Sequence, residues 1–218
     1  MKVSVVIVGI GQWTEFTKPL IDSIRKYEPD VDIMVVDNGD DYPNEYFDVR
    51  FERTKHVVSY ASALNIGLRA TKEFDWVIFI NNDAIAIGKF VDYLKGLDRK
   101  AIYGNKIHID FREFHHKDYS PFIDGWIIIV TRENIDAIGE FDTEFKIAGF
   151  EDADFAFRSN NAGYPVTLST IAFKHLGYHI RKQFENYPEY RKQNFNYLLD
   201  KHGLEAKKER KGAKPLGR

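Results

Sequence analysis

Hydrophobic and polar positions along this chain switch between short continuous apolar runs and a 3.6-residue period, and the switches mark out its elements. Val3-Ser4-Val5-Val6-Ile7-Val8 is short, β-branched and bounded by Gly9-Ile10-Gly11. That pattern predicts a strand buried on both faces and followed by a loop. Phe16, Leu20, Ile21 and Ile24 recur at helical spacing. They predict a helix over 15–27, capped by Thr14, with Pro19 in or near its first turn. A second strand over 32–36 ends at Asp37-Asn38-Gly39, and the strand–helix–strand order implies a right-handed parallel crossover. After a loop over 42–50 come a short strand within 51–58 and a helix from Ser59 or Ser62 to Ala70. Gly67 inside that helix costs about 1 kcal/mol relative to Ala, so it is expected to serve close packing. The apolar run Trp76–Ile80 then stops abruptly at Asn81-Asn82-Asp83.

The second half alternates in the same way. The pattern predicts a helix over 88–97, a strand over 101–109, a strand over 126–130, and a helix capped by Thr131 and closed by Gly139. His108, His115 and His116 lie in or beside a polar, aromatic stretch over 110–121 that reads as a substrate-facing loop. A loop over 141–150 leads to a helix opening at Glu151-Asp152-Ala153-Asp154 and ended by Gly163-Tyr164-Pro165. A strand over 166–173 leads to His175, and an amphipathic helix over 188–202 follows. No repeat or long linker divides the chain. The expected architecture is α/β: a single domain over 1–203, with a mostly parallel central sheet flanked by helices. Residues 1–100 are expected to form a nucleotide-facing first half and 101–203 a variable second half. The segment 204–218, with six basic residues and one Glu from Ala206 on, is expected to be a disordered tail.

Composition narrows the setting. At 44% hydrophobic and 29% charged residues the chain has the make-up of a soluble globular protein. A formal net charge of −2 argues against a chain-wide nucleic-acid surface, and no stable nucleic-acid complex is expected. The absence of Cys excludes disulfides and thiolate metal sites. No apolar run approaches the roughly 18 residues of a membrane span, and Val3–Val8 is too short for a signal-peptide core. The expected setting is cytoplasmic, with peripheral contact to a membrane or polyanion through the basic tail left open.

Candidate chemistry sits at strand ends, where open α/β sheets bind ligands. Asp83 follows a buried strand and can anchor a metal–diphosphate site. A hard ion such as Mg²⁺ or Mn²⁺ uses one or two carboxylates plus substrate phosphates, and one imidazole from His175 suits Mn²⁺. His175 also reads as an ordinary hydrogen-bonded structural residue. Asp37 can accept bonds from a base or a ribose, while Asp-Asn-Gly serves equally well as an Asx turn. Glu151, Asp152 and Asp154 suit a helix N-terminus. They exceed what capping requires, which leaves a functional role open. Asp152 and Asp154, two residues apart, do not share a helix face.

Taken in order, these segments resemble the family 2 group of GT-A-fold glycosyltransferases, rhamnosyltransferase-like members in particular. Val35-Val36-Asp37-Asn38-Gly39 resembles the family's V-V-D-N-x segment, Ala63-Leu64-Asn65-Ile66-Gly67 its A-x-N-x-G helix, and Phe79-Ile80-Asn81-Asn82-Asp83 its L-N-N-D form of the DXD metal motif. Asp124-Gly125 through Phe141-Asp142, and Gly149-Phe150-Glu151-Asp152-Ala153-Asp154 with Arg158 and Gly163-Tyr164, resemble two further blocks. The sequence departs from the family at Gly9-Ile10-Gly11, where T-Y-N is usual, and in carrying one carboxylate at the metal motif.

The resemblance implies a GT-A domain performing metal-dependent inverting transfer from a UDP-, dTDP- or GDP-linked sugar to an acceptor hydroxyl, with Asp152 as general base. It implies donor contacts from Val8, Gly9, Gly11, Asp37, Asn65, Asn82 and Asp83. The metal ligands for Mn²⁺ or Mg²⁺ would be Asp83 and His175, and the acceptor side would hold Asp124, Gly125, Trp126 and Glu151. Two alternatives stand beside it. One is an inactive nucleotide-sugar-binding homologue. The other is a nucleotidyltransferase, against which the lack of any Lys or Arg between Gly11 and Lys18 counts.

Overall fold

A computed structural model of the chain describes residues 1–39, 48–108, 114–115, 121–177 and 184–206. Seven strands form one mixed sheet in the order β11-β6-β10-β4-β1-β2-β3. β1 (Val3–Gly9), β2 (Asp32–Asp37), β3 (Arg50–Arg53) and β4 (Trp76–Asn81) run parallel. β10 (Ile127–Thr131) is antiparallel to β4 and to β6 (Ile102–Gly104), and β11 (Val166–Leu168) pairs parallel with β6 at the edge. β1 is buried along its whole length because both sheet faces are covered. Val6 and Val8 join a cluster with α2 (Tyr60–Ala70), α4 (Arg132–Ile138), α5 (Glu151–Asn161) and α6 (Tyr187–His202). Val5 and Ile7 join the opposite cluster with α1 (Lys18–Tyr27) and α3 (Val91–Leu94). Among the described residues no helix is long and apolar enough to cross a membrane.

Several elements differ from expectation, each for a local reason. Thr14 caps nothing: a π-helical turn, Trp13–Thr17, is entered from Gln12 in the left-handed region, and the α-helix proper starts at Lys18 with Pro19 in its first turn. The strand expected within 51–58 is confined to β3. Beyond it the Asn38 side chain takes the place of a neighbouring strand, donating to the Val58 carbonyl and accepting its N–H. The helix expected over 88–97 is the single turn of α3, whose approach is held by the Glu28 carboxylate accepting from the Phe90 and Val91 N–H groups. The strand over 101–109 breaks into β6 and β7 (Ile107–His108), and β7 pairs with β9 (Phe122–Ile123) in a separate ladder. Two further strands that were not expected, β8 (Phe114–His115) and β13 (Glu205–Ala206), pair with each other. His116 and residues 207–218 lie outside the described residues.

The largest departure bears on function. The strand expected over 166–173 divides into β11 and β12 (Phe173–His175), and β12 leaves the main sheet to pair antiparallel with β5 (Ala84–Ala86). That register sets His175 opposite Ala84, next to Asp83.

Gly67 does serve close packing. A Cβ there would lie 2.3 Å from Val6 Cγ1 and 3.3 Å from Val36 Cγ2, on strands that cannot move apart without breaking the sheet. Gly67→Ala is therefore expected to destabilise the fold by about 1–3 kcal/mol through overpacking, despite the better helix propensity of Ala. A lower urea midpoint with an unchanged slope would show it.

Candidate active site

The sheet register gathers the candidate residues at one edge. Gly9 pairs with Asp37, and Val8 pairs with Asn81. Because β10 runs the other way, its beginning, not its end, meets the end of β4: Ile127 pairs with Ile80, and the Asn81 N–H donates to the Trp126 carbonyl at 2.9 Å. Asp124 and Gly125 are thereby delivered beside Asn81-Asn82-Asp83. A cleft of about 770 Å³ opens there, with Val8 and Gly9 on one side and Asp152, Tyr187 and Arg191 from α5 and α6 on the other.

Asp83 is almost fully buried. Its Oδ1 lies 3.1 Å from His175 Nε2, and its backbone carbonyl accepts from the Leu176 N–H. The Trp126 indole stacks on the His175 imidazole, with ring centres 4.9 Å apart and planes within 6°, which fixes the ring that faces the carboxylate. Asp83 Oδ2 is buried and has no hydrogen-bond partner among the described residues. A buried, unpaired carboxylate oxygen is costly unless a cation or donor completes it. Among the described residues no group of three His, Cys, Asp or Glu side chains is gathered as a metal cage. One carboxylate and one imidazole leave most of an octahedral shell open, and Mg²⁺ or Mn²⁺ takes such positions from phosphate and water. The donor set fits an ion shared with a diphosphate.

Asp152 is held from two sides. The Gly125 N–H donates to one carboxylate oxygen at 2.8 Å, and the Asp152 carboxylate accepts the Ala153 N–H at the other, also at 2.8 Å. Gly125 is required by this approach: a Cβ there would sit 2.8–3.1 Å from the carboxylate and its Cβ. Burial, followed by repulsion from Asp124, pushes the Asp152 carboxyl up to about 6 against the two N–H bonds. Asp124 itself pairs with Lys106 at 3.1 Å and with His108 at 3.5 Å. Asp154, two residues on, faces away from the cleft. Burial would raise its carboxyl, but bonds from His202, Arg158 and Lys201 outweigh it and hold it at about 2. One helical turn thus carries a carboxylate tuned upward into the cleft and another tuned downward into the fold.

The remaining expected contacts divide. Val8, Gly9, Asn82, Asp124, Gly125, Trp126 and Glu151 line the cleft with Asp83, Asp152 and His175. Gly11, Asp37 and Asn65 do not. The Gly11 carbonyl accepts from the Asn82 amide. The Asp37 carboxylate is fully buried and accepts from Arg53 Nε at 2.7 Å, while the adjacent Asn38 reaches the cleft. Both ends of the Asn65 amide clip the Phe141 backbone at 2.8 Å, tying α2 to the segment before α5. Glu151 combines its two readings: it opens α5, and its buried carboxylate accepts the Gly149 N–H at the cleft wall.

Sequence reasoning passed over Tyr60, the backbone of Ile147–Phe150, and Tyr187 with Arg191. Only the last pair carried a signal, a four-residue spacing that puts both on one helix face. The Tyr60 hydroxyl donates to Asn81 Oδ1 at 2.5 Å.

No family model and no curated protein sequence matches the chain. Solved structures do. The structure of GalNAc-T7 with UDP, GalNAc and Mn²⁺ superposes with a TM-score of 0.64 at 14% identity, over 80% of this chain and 43% of that one. The mannosyltransferase PcManGT from Pyrobaculum calidifontis, in complex with GDP-Man and Mn²⁺, gives 0.58 at 15%, over 77% and 54%. S. aureus TarS gives 0.59 at 14%, over 92% and 40%. The fold is that of the GT-A glycosyltransferases. The chain spans about half the length, or less, of these three structures.

The Asp154 network yields a stability prediction. Its folded pKa lies below the ordinary value of 3.8. Its contribution is therefore present above about pH 4 and lost as the pH falls through about 2. Asp154→Asn should lower the urea midpoint at pH 7, and the gap to the wild type should close progressively between pH 4 and pH 2. A gap that stays constant with pH would remove the ion network from the account.

Proposed function

We propose that the chain transfers a sugar from a nucleotide-diphosphate donor to an acceptor hydroxyl, with inversion at the anomeric carbon and with Mn²⁺ or Mg²⁺ as cofactor. The observation that carries this reading is the pairing, across one cleft, of a carboxylate–imidazole pair suited to a diphosphate-bound ion with a buried carboxylate whose pKa is raised toward that of a working base. The GT-A fold supports it. A UDP-, dTDP- or GDP-linked sugar would lie along the strand ends, with its nucleotide toward Val8, Gly9 and Asn38 and its diphosphate toward Asp83 and His175. A bound divalent ion supplies charge neutralisation for the departing diphosphate.

The chain's own residues do the rest. Asp83 and His175 orient the diphosphate end of the donor, and Trp126 holds His175 in line. The acceptor enters from the side of Asp124, Gly125, Glu151 and Tyr187. Its hydroxyl gives its proton to Asp152 as its oxygen bonds the anomeric carbon, and the bond from that carbon to the diphosphate oxygen breaks on the opposite face. One base and one displacement give one inversion. The Gly125 N–H keeps the Asp152 carboxylate aimed while its charge is neutralised. The rival reading, a nucleotide-sugar-binding protein without turnover, leaves the elevated Asp152 pKa and its dedicated N–H donors without a purpose. A nucleotidyltransferase would need a basic loop after β1, and no Lys or Arg stands between Gly9 and Thr17.

Two tests follow. Asp152→Asn should reduce transfer or donor hydrolysis by roughly 10²–10⁴-fold while nucleotide-sugar binding survives, and the wild-type rate should fall tenfold per pH unit below about 6 as Asp152 protonates. Near-normal turnover in that variant would take Asp152 out of the mechanism. Separately, at UDP or GDP about 100-fold above its Kd, binding should add about 2.7 kcal/mol to wild-type stability. In thermal-shift titrations with Mn²⁺, Asp83→Ala should lose most of that gain and His175→Ala part of it. Equal shifts in all three proteins would place the ion elsewhere.

A further inference from the structure

The segment that presents Asp152 is strained. Ile147 and Phe150 both sit at positive φ, 52° and 74°, a region that bulky and especially β-branched side chains avoid. Such backbone persists only where its surroundings over-determine it. One restraint comes from α6: the Asn194 side chain accepts the Lys146 N–H and donates to the carbonyls of Lys146 and Gly149. The second comes from Tyr60, the first residue of α2, whose backbone N–H donates to the Ile147 carbonyl at 2.6 Å. Ser59 caps α2 through the Ser62 N–H, leaving the Tyr60 N–H, one of the otherwise orphaned donors of a helix start, for Ile147.

Tyr60 acts in a second direction as well. Its hydroxyl reaches across the cleft floor to Asn81 Oδ1, at the end of β4 and two residues before Asp83. Burial and the charges of Glu151, Asp152 and Asp83 hold the phenol well above its ordinary range, so it stays a donor at any working pH. One residue is thus bonded at its backbone to the segment carrying Asp152 and at its side chain to the turn carrying Asp83.

We propose that Tyr60 is a positioning residue that locks the carboxylate–imidazole end of the cleft and the Asp152 end into one frame, fixing the distance a bound donor must span between them. This rests on the glycosyl-transfer reading for its kinetic consequence, though not for its structural one.

The test is Tyr60→Phe in the full chain, which removes only the hydroxyl and keeps the ring and the N–H. Hydrogen exchange of the ligand-free protein should rise in peptides covering 79–86 and 144–152, with the melting temperature within about two degrees of wild type. In the presence of Mn²⁺, kcat should fall at least tenfold while the donor KM stays within about threefold. Asn81→Ala, which removes the acceptor of the same bond, should have a similar effect, and Tyr60→Phe should add little to it in the double variant. Unchanged exchange in Tyr60→Phe overturns the proposal. So does a full additive loss in the double variant, which would mean that the phenol acts on the substrate and not through Asn81. If the wild type shows no turnover with any nucleotide sugar, the transfer reading fails, and the exchange experiment still decides whether Tyr60 couples the two segments.

Discussion

β4 lies between β1 and β10, parallel to the first and antiparallel to the second, and the cleft depends on that mixed register. Parallel pairing with β1 aligns Val8 with Asn81, so the loop after β1 and the turn at Asp83 share an edge. Antiparallel pairing brings the start of β10 to the same edge, because Ile127 must face Ile80. Trp126, Gly125 and Asp124 therefore arrive where Asp83 is, and Gly125 can meet Asp152. Had β10 run parallel, these residues would lie at the far edge of the sheet, and Asp152 would lose the Gly125 N–H donor. The hydrogen-bond ladder thus fixes the chemistry as firmly as it fixes the fold.

The first turn of α5 shows how one short segment serves two purposes. Asp152 and Asp154 have the same side chain and stand about 200° apart around the helix axis. One meets the cleft, where burial and Asp124 disfavour its charge. The other meets His202, Lys201 and Arg158, which favour it. The second arrangement anchors α6 to α5, and α6 in turn carries Asn194, which grips the strained segment before Asp152. The downward-tuned carboxylate thereby supports the placement of the upward-tuned one.

Asp83 presents the opposite economy. Among the described residues its carboxylate has one hydrogen-bond partner, His175, and one buried oxygen with none. A site so lean in negative charge suits an ion that arrives with, and is largely held by, a charged substrate. In the metal site proposed above, the Trp126–His175 stack would fix the orientation of one of only two protein ligands.

Much of this was written in local pattern. Val3–Val8 and Trp76–Ile80 are apolar runs too short for helices and too continuous for half-exposed strands, so they declare buried parallel strands without any tertiary information. The abrupt stop at Asn81-Asn82-Asp83, the Ser59 and Thr131 caps, and the acidic opening of α5 are equally local, because each depends on backbone groups within one turn. What a linear pattern cannot carry is pairing between distant segments. The departure of β12 from the sheet to meet β5 is decided by Phe173 and His175 finding Ala86 and Ala84, a contact across about ninety residues of chain that no period encodes. Asp37 at a strand end and Asn65 within a motif are expected as ligand contacts from sequence. Their partners, Arg53 and the Phe141 backbone, become visible only in three dimensions. Tyr60 carried no sequence signal, since its importance lies in two bonds to chain 21 and 87 residues away. The sequence by itself determined which residues could carry charge at a strand end. The tertiary structure decided which of them share a cleft, because only the pairing register and the burial it imposes set the distances and the pKa values.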